Sequence, residues 1–223
     1  MNGLPVNAEP RPPAGPRLTG LRRFTTPRPP REERCELCGA PLAPAERHPH
    51  LVDTDQRALV CACGPCAQLM DRSSTSPGRF RSVPGRFLQD RGHRIDDRAW
   101  ESLRIPVSVA FFFLNSALER PVALYPSPAG ATESELDEDA WQSVLDATRL
   151  AAHLEPDVEA LLLRRHEGRT ECYLVPVDLC YELVGRMRLH WQGFDGGAEA
   201  RTDLDALFAH VRELARELPE NAP

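Results

Sequence analysis

Lysine is absent from this chain of 223 residues, and all 27 of its basic side chains are arginines. This absence bears on nucleotide binding, because a phosphate-binding loop ends in Gly-Lys-Ser or Gly-Lys-Thr. The small-residue segment 125–134 follows a predicted strand, yet it has no such ending and leads into an acidic helix start. We therefore do not expect a P-loop nucleotide site.

Long hydrophobic runs are also absent. The longest apolar stretch, residues 109–114, is far shorter than the roughly 20 residues that span a bilayer. Residues 1–34 have no apolar core of a secretory signal, because proline, arginine and glycine interrupt them throughout. We expect a cytoplasmic protein that does not contact a membrane. In a reducing cytosol, clustered cysteines indicate metal binding rather than disulfides.

The sequence also lacks the excess of basic residues that would make the whole surface basic. The net charge is −6, and it is unevenly distributed: residues 1–34 carry 7 arginines against 3 acids, and residues 105–223 carry 10 arginines against 21 acids. These numbers exclude a protein that binds nucleic acid over its whole surface, since the acidic part would repel a polyanion. Only a local basic strip remains as a candidate contact.

Cysteine, in contrast, is concentrated near the start of the chain. Five of the seven cysteines fall within residues 35–66. Four of them form two Cys-x2-Cys pairs separated by 24 residues, which is the spacing of a four-thiolate metal site. We predict that one metal ion is bound by Cys35, Cys38, Cys63 and Cys66.

The ligand set and the metal both have alternatives. Cys61 lies two residues before Cys63 and can substitute for one of the four, and His48 and His50 are near enough in sequence for a Cys3His site. Four thiolates leave no position for water or substrate, which favours structural zinc. Iron in a rubredoxin-like site is the rival. Ala67 argues against iron, because a rubredoxin-like knuckle has glycine after its last cysteine.

The chain is predicted to contain four segments. Residues 1–33 form a proline- and arginine-rich tail that we expect to be disordered, and residues 34–71 form a zinc finger. Residues 72–98 are an arginine-rich linker, and residues 99–217 form an α+β domain with a mainly antiparallel sheet covered by helices. A knuckle, a hairpin and a helix that carries the second cysteine pair indicate a treble-clef-like finger.

Hydrophobic patterning predicts the elements of the α+β segment. Helices are expected to begin at Asp137, Asp178 and Thr202, the first of them continuing through Ala152, and residues 126–130 are assigned to a loop. Strands are predicted at residues 105–114, 121–125, 158–164 and 171–175.

The finger also resembles the cysteine-containing HNH nucleases, which share the treble-clef frame and use a histidine of the hairpin to activate water. In this chain Ala67 follows Cys66, and no asparagine occupies the hairpin. Without a second catalytic ligand, water activation lacks its electrophile. We therefore do not expect an enzyme.

A strip next to the finger interleaves arginines with aromatic rings. A guanidinium can pair with phosphate and a phenyl ring can stack on a base, so nucleic-acid binding is one interpretation. We favour the simpler one, a solvated linker whose two rings pack against the finger or the second domain. The strip consists of Arg79, Phe80, Arg81, Arg86 and Phe87.

A family resemblance spans roughly residues 33–215. It is carried by residues 35–39, 59–66, 105–107, 110–113, 122–134, 154–161 and 174–181. Through them the chain resembles an uncharacterised family of actinobacterial proteins often encoded beside uptake NiFe-hydrogenase genes. The resemblance brings no catalytic residue with it, and it implies an accessory role near hydrogenase assembly or electron transfer.

The expected function is that of a non-enzymatic zinc-binding accessory protein that interacts with another protein. Hydrogenase subunits or maturation factors are the candidate partners. The alternatives are a rubredoxin-like iron electron carrier and a nucleic-acid-binding zinc finger, and the acidic second domain disfavours the latter.

Overall fold

The computed structural model describes residues 32–42, 48–71, 78–135, 138–193 and 196–218. The predicted disordered tail, as far as residue 31, and the predicted helix cap Asp137 lie outside the described residues. The described residues from Glu33 onward belong to one compact unit, which holds both the finger and the α+β segment. None of the helices in these ranges combines the length and the hydrophobicity that crossing a bilayer requires.

A small antiparallel sheet contains the predicted finger hairpin. Its strands are β1 (His50–Asp53), β2 (Ala58–Cys61) and β3 (Phe80–Ser82), in the order β2-β1-β3. The hairpin is confirmed, and helix α1 (Gly64–Asp71) follows it. β3 was not predicted, because its three residues lie within the predicted linker and are too few for an alternating pattern to stand out.

A seven-stranded sheet forms the centre of the α+β part. Every neighbouring pair is antiparallel except β10 and β4, which are parallel. The α+β prediction with a mainly antiparallel sheet is therefore confirmed. The strands are β4 (Leu88–Gln89), β5 (Val109–Asn115), β6 (Arg120–Ser127), β7 (Gly130–Ser134), β8 (Glu159–His166), β9 (Arg169–Pro176) and β10 (Arg216–Glu217), in the order β10-β4-β9-β8-β5-β6-β7.

Helices cover both faces of this sheet, which explains why its central strands are apolar without alternation. On one face, Phe111 and Leu162 pack against α4 (Val177–His190) and α5 (Gly197–Leu214). On the other face, Phe112 packs with the side chains of α2 (Asp97–Ser102), α3 (Glu138–Ala147) and a 3-10 helix (Arg149–His153). Asp96 caps α2 by accepting a hydrogen bond from the Ala99 amide.

Two predicted helices have different bounds in the structure. The helix that was expected to continue through Ala152 ends at Ala147, because Thr148 is extended and its hydroxyl accepts from the Leu150 amide, which starts the 3-10 helix. α5 begins with a left-handed Gly196 at its N-cap rather than at Thr202. The Thr202 hydroxyl instead donates to the Ala198 carbonyl inside the helix.

The predicted loop at residues 126–130 is mostly a hairpin. β6 continues through Ser127 and β7 begins at Gly130, so that only two residues separate the strands. Proline and small residues made this segment look irregular in sequence. Pro126 lies beyond Leu124, the last residue of β6 that pairs with β5, so this end of β6 has a neighbouring strand on one side only and tolerates a residue without an amide proton.

Candidate metal centre

The first cysteine pair lies on a tight turn. The Gly39 amide donates to the Cys35 carbonyl over 2.8 Å, and the Cys35 amide donates to the Ala40 carbonyl over 2.8 Å. Gly39 has a φ of 75°, a left-handed conformation that side chains disfavour. Glycine at this position therefore permits the tight turn that carries the first cysteine pair.

The second pair lies where β2 passes into α1. Cys63 directly precedes the helix, and Cys66 lies in its first turn, where the helix dipole stabilises negative charge. The knuckle is tied to the end of β2 by two hydrogen bonds between Glu36 and Cys61. The Glu36 amide donates to the Cys61 carbonyl over 2.9 Å, and the Cys61 amide donates to the Glu36 carboxylate over 2.8 Å.

The four predicted sulfur ligands converge. All four Sγ atoms lie within 4.8 Å of one another, and Cys38 Sγ is 3.7 Å from Cys63 Sγ. A tetrahedral zinc site with bonds of about 2.3 Å has sulfurs about 3.8 Å apart, so the Cys38–Cys63 pair already has the separation that a bound metal requires. All seven cysteines of the chain are free thiols. The four sulfurs can therefore bind one metal ion.

The thiols of this cluster influence one another. Burial acts to raise the pKa of Cys35, but hydrogen bonds from the backbone at Cys63, Cys38 and Leu37 lower it to about 6. Hydrogen bonding to Cys63 and Cys38 raises the pKa of Cys66 to about 12. Four adjacent sulfurs cannot all carry negative charge without a compensating cation, which is the role a bound metal would have.

The three alternative ligands do not join the four-sulfur cluster but form a second group. Ligand atoms of His48, His50 and Cys61 lie within 4.8 Å of one another. The Nδ1 atom of His50 lies 2.8 Å from the Asp178 carboxylate on α4, and this hydrogen bond raises the pKa of His50. Burial, followed by the charge of Glu36, raises the pKa of the Cys61 thiol.

Each arginine of the predicted nucleic-acid strip faces a carboxylate of its own chain. Arg79 donates to Asp53 over 2.7 Å. This hydrogen bond, with further ones from the backbone, outweighs the effect of burial and lowers the pKa of that carboxyl. Arg81 lies 3.6 Å from Asp157. The third arginine of the strip, Arg86, makes the ion pair with β8 that is described below.

The two phenyl rings of the strip are partly buried. Phe80 packs with the core of the finger, and Phe87 packs with the core of the large sheet. This agrees with the simpler interpretation of the strip. Nucleic-acid binding stays a prediction, and the internal ion pairs weigh against it.

Sequence reasoning missed the contact between the finger and the large sheet. Val52 of β1 packs with Val158, which directly precedes β8, and with Val177, which is the first residue of α4. A pocket opens at the same junction, between the finger hairpin and a wall that includes Phe113 and Tyr181. These residues are more than 50 positions apart, so no local pattern could have revealed the pocket.

The fold and the cluster define an α+β protein with a candidate four-cysteine metal centre on a small sheet. The chain belongs to DUF5947, a family of unknown function that matches residues 34–215. The match includes the small sheet and six of the seven strands of the large sheet, since β10 (Arg216–Glu217) lies just beyond it. No curated protein and no solved structure matches the chain.

Proposed function

We propose that the chain is a non-enzymatic accessory protein in which Cys35, Cys38, Cys63 and Cys66 bind one structural zinc ion. The convergence of the four sulfurs within 4.8 Å carries the proposal. Four thiolates complete a tetrahedron, so no coordination position remains for a substrate or an attacking water molecule. A closed site of this kind stabilises a fold and does not perform chemistry.

Zinc is favoured over iron by the way the second pair is presented. The knuckle, the hairpin and a helix that begins between Cys63 and Cys66 support a treble-clef-like finger. A rubredoxin-like site would present its second pair on another glycine-containing knuckle, and here Ala67 follows Cys66 inside the helix. The proposed finger is therefore treble-clef-like, and the proposed metal is zinc.

The zinc ion would compensate for a small core. Among the described residues of the finger, the buried part of the core cluster consists of Cys35, Leu51, Ala62 and Ala67, which is too little apolar surface for independent stability. Binding of a metal to thiolates supplies the missing folding free energy. The finger would then hold its hairpin against α4.

A protein partner is proposed from charge and from family context. Residues 105–223 are strongly acidic, so a partner with a basic surface is electrostatically favoured. The resemblance to proteins encoded beside uptake NiFe-hydrogenase genes extends the proposal to hydrogenase subunits or maturation factors.

Metal analysis tests the first part of the proposal. Full-length protein is purified anaerobically without added metal, and its elemental content and visible spectrum are measured. We expect zinc at the four-cysteine site and no thiolate charge-transfer bands in the visible. Iron with such bands would instead identify an electron carrier. Cys38→Ser should lose this ion, whereas the matched control Cys172→Ser, which alters a buried cysteine of β9, should keep it.

Co-purification tests the second part. The tagged chain is isolated from a native lysate of its own host at low and at moderate salt. We expect recovery of hydrogenase subunits or maturation factors, with less recovery as salt rises, because salt screens an acidic interface. A preparation that contains the tagged chain alone at both salt concentrations would contradict the partner proposal.

A further inference from the structure

We propose that His48, His50 and Cys61 bind a second metal ion of the zinc class, separate from the four-cysteine site, with a fourth coordination position left for water or an exogenous thiolate or imidazole. The two sets of ligands share no residue. The inference concerns a site other than the proposed structural zinc and does not depend on it.

The small sheet brings these ligands together. His50 on β1 pairs directly with Cys61 on β2, and directly opposed residues in a sheet project from the same face. His48 precedes β1, with its ring centroid 4.7 Å from that of His50 and the two planes inclined at 63°. Tetrahedral nitrogen and sulfur ligands of zinc are about 3.3–3.6 Å apart. Because the present atoms lie within 4.8 Å of one another, closing the site requires shifts of at most about 1.5 Å.

A carboxylate is hydrogen-bonded to the His50 ring, and a second carboxylate lies near the His48 ring. Asp178 lies 2.8 Å from Nδ1 of His50, and Glu33 lies 3.8 Å from Nδ1 of His48. When Nδ1 faces a carboxylate, Nε2 is the nitrogen that faces a metal, and the carboxylate makes it a stronger ligand. This carboxylate–histidine arrangement is common around zinc, and it distinguishes the group from three residues that are adjacent by chance.

The site is partly open to solvent. The His48 side chain is 3% exposed, whereas that of His50 is 18% exposed and Cys61 is half-buried. Two nitrogens and one sulfur are three ligands, and zinc with three protein ligands keeps a position for water or another donor. A thiolate or an imidazole suits that position, because both are good ligands for zinc.

Metal titration of the full chain tests the proposal. Protein stripped of metal under reducing, anaerobic conditions is titrated with Co²⁺, and the thiolate charge-transfer bands and the stoichiometry are recorded. We expect two Co²⁺ ions per chain in two binding phases. Cys61→Ser and His50→Ala should each remove one phase and leave the four-thiolate phase unchanged. The matched control His166→Ala, an exposed histidine at the end of β8, should keep both phases.

A second variant separates metal binding from folding. Asp178→Asn retains every ligand and should weaken only the second phase, by about 10–100-fold, because it alters the partner of His50. Adding imidazole should then change the cobalt bands of the second phase in the wild-type chain and not those of the first.

The possible outcomes are distinct. One ion per chain that is insensitive to His50→Ala and Asp178→Asn would overturn the second site. One ion that disappears in both Cys38→Ser and Cys61→Ser would show that Cys61 is a ligand of the four-cysteine site, and would also overturn the second site. If the wild-type chain shows the second binding phase but no four-thiolate phase, the second site stands and only the proposed structural zinc is contradicted.

Discussion

Arg86 and Glu159 form an ion pair in which the guanidinium bridges both oxygens of a fully buried carboxylate. Arg86 Nε lies 2.5 Å from Glu159 Oε1, and Nη2 lies 2.7 Å from Oε2. The same Nη2 also donates to the His153 carbonyl over 2.7 Å. A residue of the predicted linker is thereby anchored to β8 in the middle of the large sheet, and its guanidinium is committed to a carboxylate of its own chain.

We predict that Arg86→Ala lowers the free energy of unfolding by about 2–4 kcal/mol, because it leaves the charge of Glu159 buried without its partner. The expected loss of stability is smaller than for a fully buried ion pair, because the arginine side chain is 39% exposed. Denaturant unfolding at neutral pH measures it. Arg91→Ala is the matched control, because Arg91 is 79% exposed and its pair with Glu217 should contribute about 1 kcal/mol or less. Equal effects in the two variants would contradict the prediction.

Asp90 gives a prediction about pH. Its buried carboxylate accepts hydrogen bonds from the Arg149 amide over 2.9 Å and from the Thr148 hydroxyl over 3.1 Å. Burial acts to raise the pKa of Asp90, but these hydrogen bonds and the Arg149 guanidinium prevail and lower it. The ionised Asp90 carboxylate therefore stabilises the folded state. This contribution is complete above the pKa of the unfolded state, about 3.9, and it is lost as the pH falls through the lower pKa of the folded state.

The measurement compares the wild-type chain with Asp90→Asn. At pH 7 we expect the variant to be less stable by about 1–3 kcal/mol. The difference should shrink as the pH falls from about 4 through the lower pKa of the folded state, because the wild-type carboxyl becomes neutral there, as the amide of the variant is at every pH. Comparing the two proteins at each pH cancels the titration of the other groups. A difference that stays constant between pH 6 and pH 2.5 would disprove the assignment.

Removal of metal should affect the two sheets differently. A chelator should strongly reduce the protection of amide hydrogens in β1 and β2, because the finger core is small. Protection in β8 and β9 should persist, since both strands lie at the centre of a sheet covered on both faces. Hydrogen exchange with mass spectrometry measures this, and chelator presaturated with zinc is the control. Uniform loss across both sheets would show that the metal supports the whole fold.

The arginine strip should not bind nucleic acid. We expect no mobility shift of single- or double-stranded oligonucleotides at low ionic strength, because the guanidiniums of Arg79, Arg81 and Arg86 face internal carboxylates. If a shift is seen, it should be compared with that of Arg79→Ala at several salt concentrations. A salt-sensitive shift that this variant weakens would establish the strip as a contact.

Much of the fold could be predicted from sequence because the patterns concerned are local. The hairpin of β1 and β2, the buried strands β5, β8 and β9 and the stripe of α4 all express the hydrophobic period of a single element. The errors in the helix bounds arise where two local interactions compete for the same backbone groups. The Thr148 hydroxyl accepts a hydrogen bond from the Leu150 amide, and α3 ends before it. Gly196, in a left-handed conformation, is the N-cap of α5, six residues before Thr202.

The sequence by itself determined which residues can form the candidate centre, because the Cys-x2-Cys spacing places two sulfurs on one turn and this geometry depends only on adjacent residues. The tertiary structure decided how the candidates divide. It places His48, His50 and Cys61 in a group separate from the four cysteines. It also brings Asp178 next to His50, 128 positions away in sequence, and pairs Arg86 of the strip with a buried carboxylate. These arrangements depend on the packing of α4 and β8 against the small sheet, and contacts between residues so distant in sequence leave no periodic signal along the chain.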